Sequence, residues 1–534
     1  MTTEELKKKI WSNSISNYIR LGVRIGLNLV LFRLMFYRLS LEEFGFWALI
    51  WSFLGYGQLM DFGFGFAAQK KVAECSATKN FDELSKVLSS IFYFYTIGAA
   101  LIIAMGLTCS PWFVSMMTFS ETADRAEYAR ILTIFICYVG LTFPFGLSIE
   151  ILYGQQRIAL ANNLQSLGDI VKFVLVLLAL HYNWGLRAIV LIAVGCSFVP
   201  TMMGGWMGLQ TLPGVRIWPK YCSWALAKET MSFSLFAYVG TVTGMIMGQT
   251  DRLVLGVLLS VSSVAIYQVG CKVSDLFGQF TAQLPETLSP AAAYLHATEE
   301  KRALQQLMTE GTRAQATIAT PMYLICAFWM EGCLNLLTKG KMVGDSPGTL
   351  EAYWVGQVLL LWIYTTIITH SVTKKVFMMT GYHKKLTVIS AFEALGNLVL
   401  SVGLTLLFRS TGFAYPILGV ALGSLIPSFI IGWFFLWPWA SRSAGVSGMR
   451  LANHVLFRNW AACMPVVMWG VLCHILPMAD FSHSLLMFFI EAGMAGIIAL
   501  IGIWYGSLTD GDRAKFRAQY QSWRSKVKFS KKPA

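Results

Sequence analysis

Charge is scarce in this sequence. Asp, Glu, Lys and Arg make up 13% of its 534 residues, while hydrophobic residues make up 56%. A set of soluble domains needs a far larger polar share, so that organisation is excluded. Long hydrophilic segments are also missing: no loop exceeds about 30 residues, too short for an inserted domain. Histidine occurs only 7 times, and the 10 cysteines are scattered, with only Cys109 near the outer surface. These counts exclude an extracytoplasmic disulfide framework and offer no close Cys/His cluster for a metal. The sequence has no GxSxG, GxxxxGK[ST] or HExxH and no paired outer-loop carboxylates. An ATP-driven motor is therefore excluded from this chain, and no enzyme activity, catalytic residue or cofactor is expected.

What is present is a series of long apolar runs. Mean hydropathy is +0.57. A helix needs about 20 apolar residues to cross a hydrocarbon core about 30 Å thick. The pattern predicts spans at 15–38, 44–68, 86–109, 129–152, 161–181, 186–211, 232–258, 262–284, 312–337, 351–373, 385–408, 413–437, 457–477 and 483–506. Prolines at 144, 200, 321, 416, 427 and 465 fall within them and favour kinks. The first run, with Arg20, Arg24 and Arg33, is too long and too charged for a cleavable signal peptide.

Basic residues crowd every second loop, as in Lys70/Lys71, Lys301/Arg302, Lys374/Lys375 and Lys384/Lys385, while Pro477–Ser484 has none. The tail adds Arg513, Lys515, Arg517, Arg524, Lys526, Lys528, Lys531 and Lys532. Positive charge stays on the cytoplasmic side, so both termini are expected there. The net charge of +14 is spread over many loops and suits anionic lipid headgroups. It does not form the basic face with stacking aromatics that nucleic acid requires, so no nucleic-acid partner is expected.

A faint internal repeat sets Arg33-Leu34 through Leu39-Ser40-Leu41-Glu42-Glu43-Phe44-Gly45-Phe46-Trp47 beside Arg252-Leu253 through Leu259-Ser260-Val261-Ser262-Ser263-Val264-Ala265-Ile266-Tyr267. Tyr56-Gly57-Gln58 then pairs with Phe277-Gly278-Gln279. Six spans separate the copies, so the repeats would be parallel. The expected fold is an all-α polytopic membrane protein of about 14 transmembrane helices. Residues 1–211 and 212–437 would form two six-helix lobes, 438–506 two additional helices and 507–534 a basic cytoplasmic tail.

Charges inside spans carry the functional information. Each costs about 2.5–3.5 kcal/mol at mid-bilayer, so each is expected to face the bundle interior or water. In span 8, Gln268, Lys272, Asp275, Gln279, Gln283 and Glu286 share one helical face. That stripe either lines a hydrated cavity or forms an interhelical seam with a Lys272–Asp275 pair. Span 1 sets Asn17, Arg20, Arg24 and Asn28 on one face, with no acid on it. The planar guanidinium fork suits a phosphate group, and snorkelling of Arg20 and Arg33 is the competing explanation. Asp61 is the natural partner for a span 1 arginine. Asp251 and Arg252 are a gate or a structural pair, and Glu393 with Asn397 offers a protonatable carboxylate. Asp169 with Lys172 is expected to be satisfied locally, and Glu491 to be structural.

Three segments carry a family likeness: Leu41-Glu42-Glu43-Phe44-Gly45-Phe46-Trp47-Ala48-Leu49, Asp61-Phe62-Gly63-Phe64-Gly65-Phe66-Ala67 before Lys70-Lys71, and Gln249-Thr250-Asp251-Arg252-Leu253-Val254-Leu255-Gly256 running on to Val264-Ala265-Ile266-Tyr267. The chain thereby resembles the polysaccharide flippase branch of the multidrug/oligosaccharidyl-lipid/polysaccharide exporter superfamily. It departs from the pattern in having neither proline nor glycine in Leu34–Ser40, and in Lys272. The resemblance implies two lobes around a central cavity in the bacterial cytoplasmic (inner) membrane. It also implies transport of undecaprenyl-diphosphate-linked glycan, among membrane lipids, with proton or sodium coupling and polysaccharide assembly proteins as partners. On that reading Arg20 and Arg24 engage the diphosphate, while Lys272, Asp275, Gln279 and Gln283 contact sugar. Asp61, Asp251, Arg252 and Glu393 serve coupling or gating. The alternatives are a multidrug/cation antiporter, which would favour a carboxylate-rich cavity, and a membrane glycosyltransferase or polysaccharide polymerase, which would need a large catalytic outer loop.

Overall fold

The computed structural model describes residues 3–57, 61, 64–223, 242–339, 347–475, 485–514 and 517–518. The side chains of Asn17, Gln58 and Glu286, the start of span 7, the Pro477–Ser484 loop and most of the basic tail lie outside the described residues. No strand occurs among the described residues. The chain is an all-helical, multi-pass membrane protein.

The helices in order begin with α1 (Thr3–Arg38), α2 (Leu41–Gly57), α3 (Phe64–Thr78) and α4 (Phe81–Ser115). α5 (Arg125–Thr142) passes through a 3-10 turn at Phe143–Gly146 into α6 (Leu147–Gly154), followed by α7 (Ile158–His181) and α8 (Gly185–Gln210). After α9 (242–258) come α10 (Val261–Thr281), α11 (Gln283–Ala297), α12 (Lys301–Phe328) and α13 (Met330–Thr338). α14 (Pro347–Thr366), α15 (Val372–Met379), α16 (His383–Ser410), α17 (Leu418–Ile430) and α18 (Trp437–Ser443) lead to α19 (Gly448–Ala452), α20 (Arg458–Ile475) and α21 (Leu485–Gly502).

Among the described residues nine helices are long and apolar enough to cross a membrane, or ten spans if the bent pair α12–α13 is one. Spans 1, 2, 7 and 8 fall outside that set for identifiable reasons. α1 carries Arg20, Arg24, Arg33 and Arg38, and α10 carries Gln268, Lys272, Asp275 and Gln279. α2 covers 17 residues and α9 starts at the edge of the described region.

Packing divides the chain into two compact units: Met1–Val269 with Leu337–Ala352 and Thr387–Gly423, and Gly270–Leu336 with Tyr353–Leu386 and Ser424–Ala534. In the first, α1 lies along α7, α7 pairs with α8, and α4 pairs with α5. Its apolar core joins Phe64, Val72, Leu84, Leu88 and Ile151, all at most 2% exposed. In the second, α12 packs on α11 and α20, and α20 pairs with α21. Leu324, Trp329, Val466, Ala495 and Ala499 fill one of its cores.

Local chemistry explains where helices start. Ser40 and Glu43 form a reciprocal cap on α2: Glu43 N donates to Ser40 Oγ at 3.1 Å, and Ser40 N to Glu43 Oε2 at 2.9 Å. Ser260 and Ser263 occupy the repeat-equivalent positions at α10, where Ser263 N donates to Ser260 Oγ at 3.0 Å. The serine half of the cap therefore recurs in both copies. Replacing Ser40 by Ala removes one acceptor, and a loss of about 1 kcal/mol is expected. Thermal unfolding of purified protein in detergent measures it, and an unshifted midpoint refutes it.

Three features differ from the sequence expectation. Pro416 lies in the turn before α17, not within a span. Span 8 is broken at Ala282, so Gln283 opens α11, although Ala282 N still donates to Gly278 O at 2.9 Å and keeps helical spacing. Among the described residues four π-helical segments, Ile367–Ser371, Ile431–Leu436, Asn453–Phe457 and Ile503–Ser507, interrupt the later helices, where side-chain periodicity gives no warning. Glu491 is structural as expected. It accepts from Trp329 Nε1 at 2.8 Å, where α12 and α13 bend by 71°.

Candidate functional site

α1 supplies the first part of the site. Arg20 donates from Nη1 to Asn162 Oδ1 of α7 at 3.1 Å, and Asn162 is buried. Its Nε is buried with no hydrogen-bond partner among the described residues. Arg24 and Asn28 follow on the same face and are exposed. Gly22 and Gly26, on the opposite side of α1, have nothing within 4 Å of a Cβ position, so that side is open too. The helix is held at one arginine and open at the next.

The expected Asp61 partnership takes a different form. Asp61 Oδ1 accepts from Gly65 N at 3.2 Å and from the Tyr95 hydroxyl, and no ion pair joins Asp61 to Arg20 or Arg24 among the described residues. A Cβ on Gly65 would lie 3.5 and 3.6 Å from the Asp61 carboxylate oxygens and 3.6 Å from Glu150 Cδ. Two carboxylates and a tyrosine thus surround one glycine at the start of α3. Sequence reasoning missed Glu150, although a lone acid in the apolar run 129–152 was the available signal. Tyr95 and Asn162 carried no such signal.

Asp251 and Arg252 each bond to α10. Asp251 Oδ2 accepts from Tyr267 hydroxyl at 2.6 Å. Arg252 donates from Nε to Gln268 Oε1 at 2.7 Å and from Nη1 to Gln249 Oε1 at 2.8 Å. Gln249 was also missed. Glu393 and Asn397 are fully buried in α16, at 1% and 0% exposure. Asp169 and Lys172 form the expected local pair at 2.6 Å.

The rest of the stripe belongs to the second unit. Lys272 and Asp275 are half-buried on α10, whereas Gln279 and Gln283 are exposed. Gln283 Nε2 donates to Gln279 O at 3.4 Å. Exposure therefore grows along the polar face toward α11. No group of three or more metal-type side chains occurs among the described residues. The groups these positions present are guanidinium, ammonium, carboxylate and amide side chains.

Comparison with known proteins bears on the fold and the family. No curated protein matches the sequence. The lipid II flippase MurJ in an inward closed conformation is similar in structure, with a TM-score of 0.70 and 15% identity over 92% of this chain and 98% of that one. An inward-facing multidrug resistance MATE family transporter of the MOP superfamily gives a TM-score of 0.63 at 15% identity, covering 80% of this chain and 99% of the other. A MOP superfamily transporter from Pyrococcus furiosus, whose binding pocket is described as reversed in polarity, gives 0.56 at 14% identity over 82% and 96%. These likenesses establish a transporter fold of the MOP type. The family pattern described as polysaccharide biosynthesis protein matches residues 30–338, more than half of the sequence. The chain is a member of that polysaccharide biosynthesis protein family, built on the MOP superfamily fold.

Proposed function

We propose that this protein flips a polyprenyl-diphosphate-linked oligosaccharide across the bacterial cytoplasmic membrane by alternating access, for cell-surface polysaccharide biosynthesis. The observation that carries the reading is the pair of arginines on α1. Arg20 is tethered to Asn162, and Arg24, one turn on, is exposed without an ion pair among the described residues. A cation within a span, left without a carboxylate, is costly in lipid and favourable beside a diphosphate in a wet cavity. The lobes at 1–211 and 212–437, the additional helices at 438–506 and the cytoplasmic tail at 507–534 are the organisation this reading uses, with fourteen spans and both termini cytoplasmic.

Lys272, Asp275, Gln279 and Gln283 offer hydrogen-bonding groups for sugar hydroxyls in this scheme. Asp61, Asp251, Arg252 and Glu393 are its coupling or gating residues, with protons or sodium as the coupling ion. Glu150 joins Asp61 because both flank Gly65. That acidic pair is also the feature a cation exporter would use, and drug resistance on expression would favour that second reading.

Translocation of lipid-linked oligosaccharide into inside-out vesicles tests the proposal. Arg24→Ala is expected to lower the rate at least tenfold, and Arg24→Lys less, because an ammonium keeps the charge but loses the bidentate fork. An undiminished rate in Arg24→Ala would remove Arg24 from the mechanism.

A further inference from the structure

We propose that the exposed face shared by α7 and α8 is a docking groove for one anionic phospholipid, with its phosphate on Arg157 and one acyl chain along the groove. The groove has a cavity volume of about 420 Å³. Its walls are Leu164, Leu167 and Leu175 of α7 and Leu191, Val199 and Met203 of α8, all apolar and mostly exposed. Its floor exists because small residues let the helices close. At Gly168 a Cβ would lie 2.6 Å from Pro200 Cγ and 2.8 Å from Cys196 O, while Gly195 has nothing within 4 Å. Close contact at one glycine and empty space at the other leave a trench between rows of large aliphatic side chains.

Arg157 gives the trench polarity. It is the N-cap of α7, seven residues before Leu164, and its side chain reaches across to the end of α8. Its Nη1 donates weakly to Met207 O at 3.4 Å and Thr211 Oγ1 at 3.5 Å, one to two turns beyond Met203. Arg157 has no ion pair among the described residues, so its charge is left for an external anion. From Leu164 to Leu175 the groove runs about 16 Å at 1.5 Å per residue. Half a hydrocarbon core is about 15 Å. The groove begins about 10 Å along α7 from Arg157, so an acyl chain hanging from a phosphate there enters at Leu164 and lies in the near part of the groove, and the guanidinium fork matches phosphate oxygens.

The occupant is distinct from the proposed cargo. Asn162, the partner of Arg20, is two residues before Leu164 and so about 160° around α7 from that wall of the groove. The arginines of α1 and the groove thus address different sides of α7. The inference depends on membrane insertion and not on the flippase reading.

Native mass spectrometry of the purified full chain, titrated with phosphatidylglycerol or with phosphatidylcholine of the same chains, tests it. The native protein is expected to retain one phosphatidylglycerol at least tenfold more strongly than phosphatidylcholine. Arg157→Gln should abolish that preference, and Gly195→Phe, which fills the empty floor, should reduce retention of either lipid by one molecule. Gly195→Phe keeps the test decisive if Arg157→Gln does not fold. Unchanged phosphatidylglycerol retention in Gly195→Phe overturns the proposal, as does displacement of the retained lipid by decaprenyl phosphate at equal concentration.

Discussion

Gly45→Ala is expected to destabilise the protein by about 3 kcal/mol or more, at the upper end of what overpacking one methyl group does. A Cβ at Gly45 would lie 2.0 Å from Val261 O, 2.9 Å from Val261 C and 3.2 Å from Ala265 N. These are backbone atoms, so no rotamer change relieves the overlap. α2 and α10 would have to separate where Phe44 and Phe46 are almost fully buried on either side. Close backbone approach through small residues is how membrane helices gain contact when lipid supplies no hydrophobic drive. Gly26→Ala is the control. Its Cβ meets nothing within 4 Å, and alanine is the better helix former, so it should be neutral or stabilising by up to about 1 kcal/mol. The same chemical change thus has opposite signs at two glycines. Melting both variants in detergent decides the matter, and a Gly45→Ala midpoint equal to that of Gly26→Ala would refute the packing argument.

That contact also shows what the repeat means physically. Gly45 aligns with Ala265 and Leu41 with Val261, so Gly45 packs against the equivalent stretch of the other copy. Thr118 reinforces the junction: its N donates to Gly256 O at 3.2 Å and its carbonyl accepts from Val261 N at 3.1 Å. Glu42 accepts from Ser120 N at 2.5 Å and from Ser120 Oγ at 2.9 Å. The turn from Leu39 to Gly45 is therefore divided by role. Glu43 caps, Glu42 clasps the loop after α4, and Gly45 permits the close approach.

Much of this was legible because membrane insertion imposes strong rules. Apolar runs mark the helices, and Asp169–Lys172 could be paired on i,i+3 spacing alone. The arginines of α1 stood out because no carboxylate shares their face. What escaped was three-dimensional partnership. Adjacency in sequence pairs Asp61 with an arginine of α1, but Tyr95, 34 residues away, reaches it. Glu150 was overlooked because a single acid in an apolar run has no visible companion until Gly65 brings Asp61 beside it. The bend at Trp329 is accompanied by a bond between distant helices, Trp329 to Glu491, and leaves no local pattern.

Arg313→Ala should be the second large loss, about 2–3 kcal/mol, near the low end for breaking a buried pair because its partners are partly exposed. Arg313 is 9% exposed. Its Nη2 lies 2.6 Å from Glu310 Oε2 and 2.9 Å from Asp512 Oδ2, and its Nη1 donates to Ser507 O at 3.5 Å. Asp512 also accepts from Thr509 N at 3.0 Å and Thr509 Oγ1 at 2.7 Å. These bonds fasten the segment after α21 to α12, while Asn459 of α20 accepts from Thr317 Oγ1 at 3.1 Å and from the Ser507 hydroxyl. The Thr509 hydroxyl, and behind it Arg313, hold the Asp512 carboxyl well below its ordinary range, against a smaller opposing effect of burial. A depressed carboxyl contributes stability above its unfolded pKa, about 3.9, and loses it only as pH falls through the lower folded value. Between pH 5 and 8 the Asp512 contribution is therefore constant, so any change of the Arg313→Ala loss there would come from Glu310 and its neighbour His454, 3.1 Å away. Asp512→Asn keeps the shape and removes the charge, so its loss should be smaller. Unfolding midpoints of the two variants and their double mutant across that pH range give the coupling directly. Additive losses would mean that Arg313 and Asp512 are neighbours without an energetic bond.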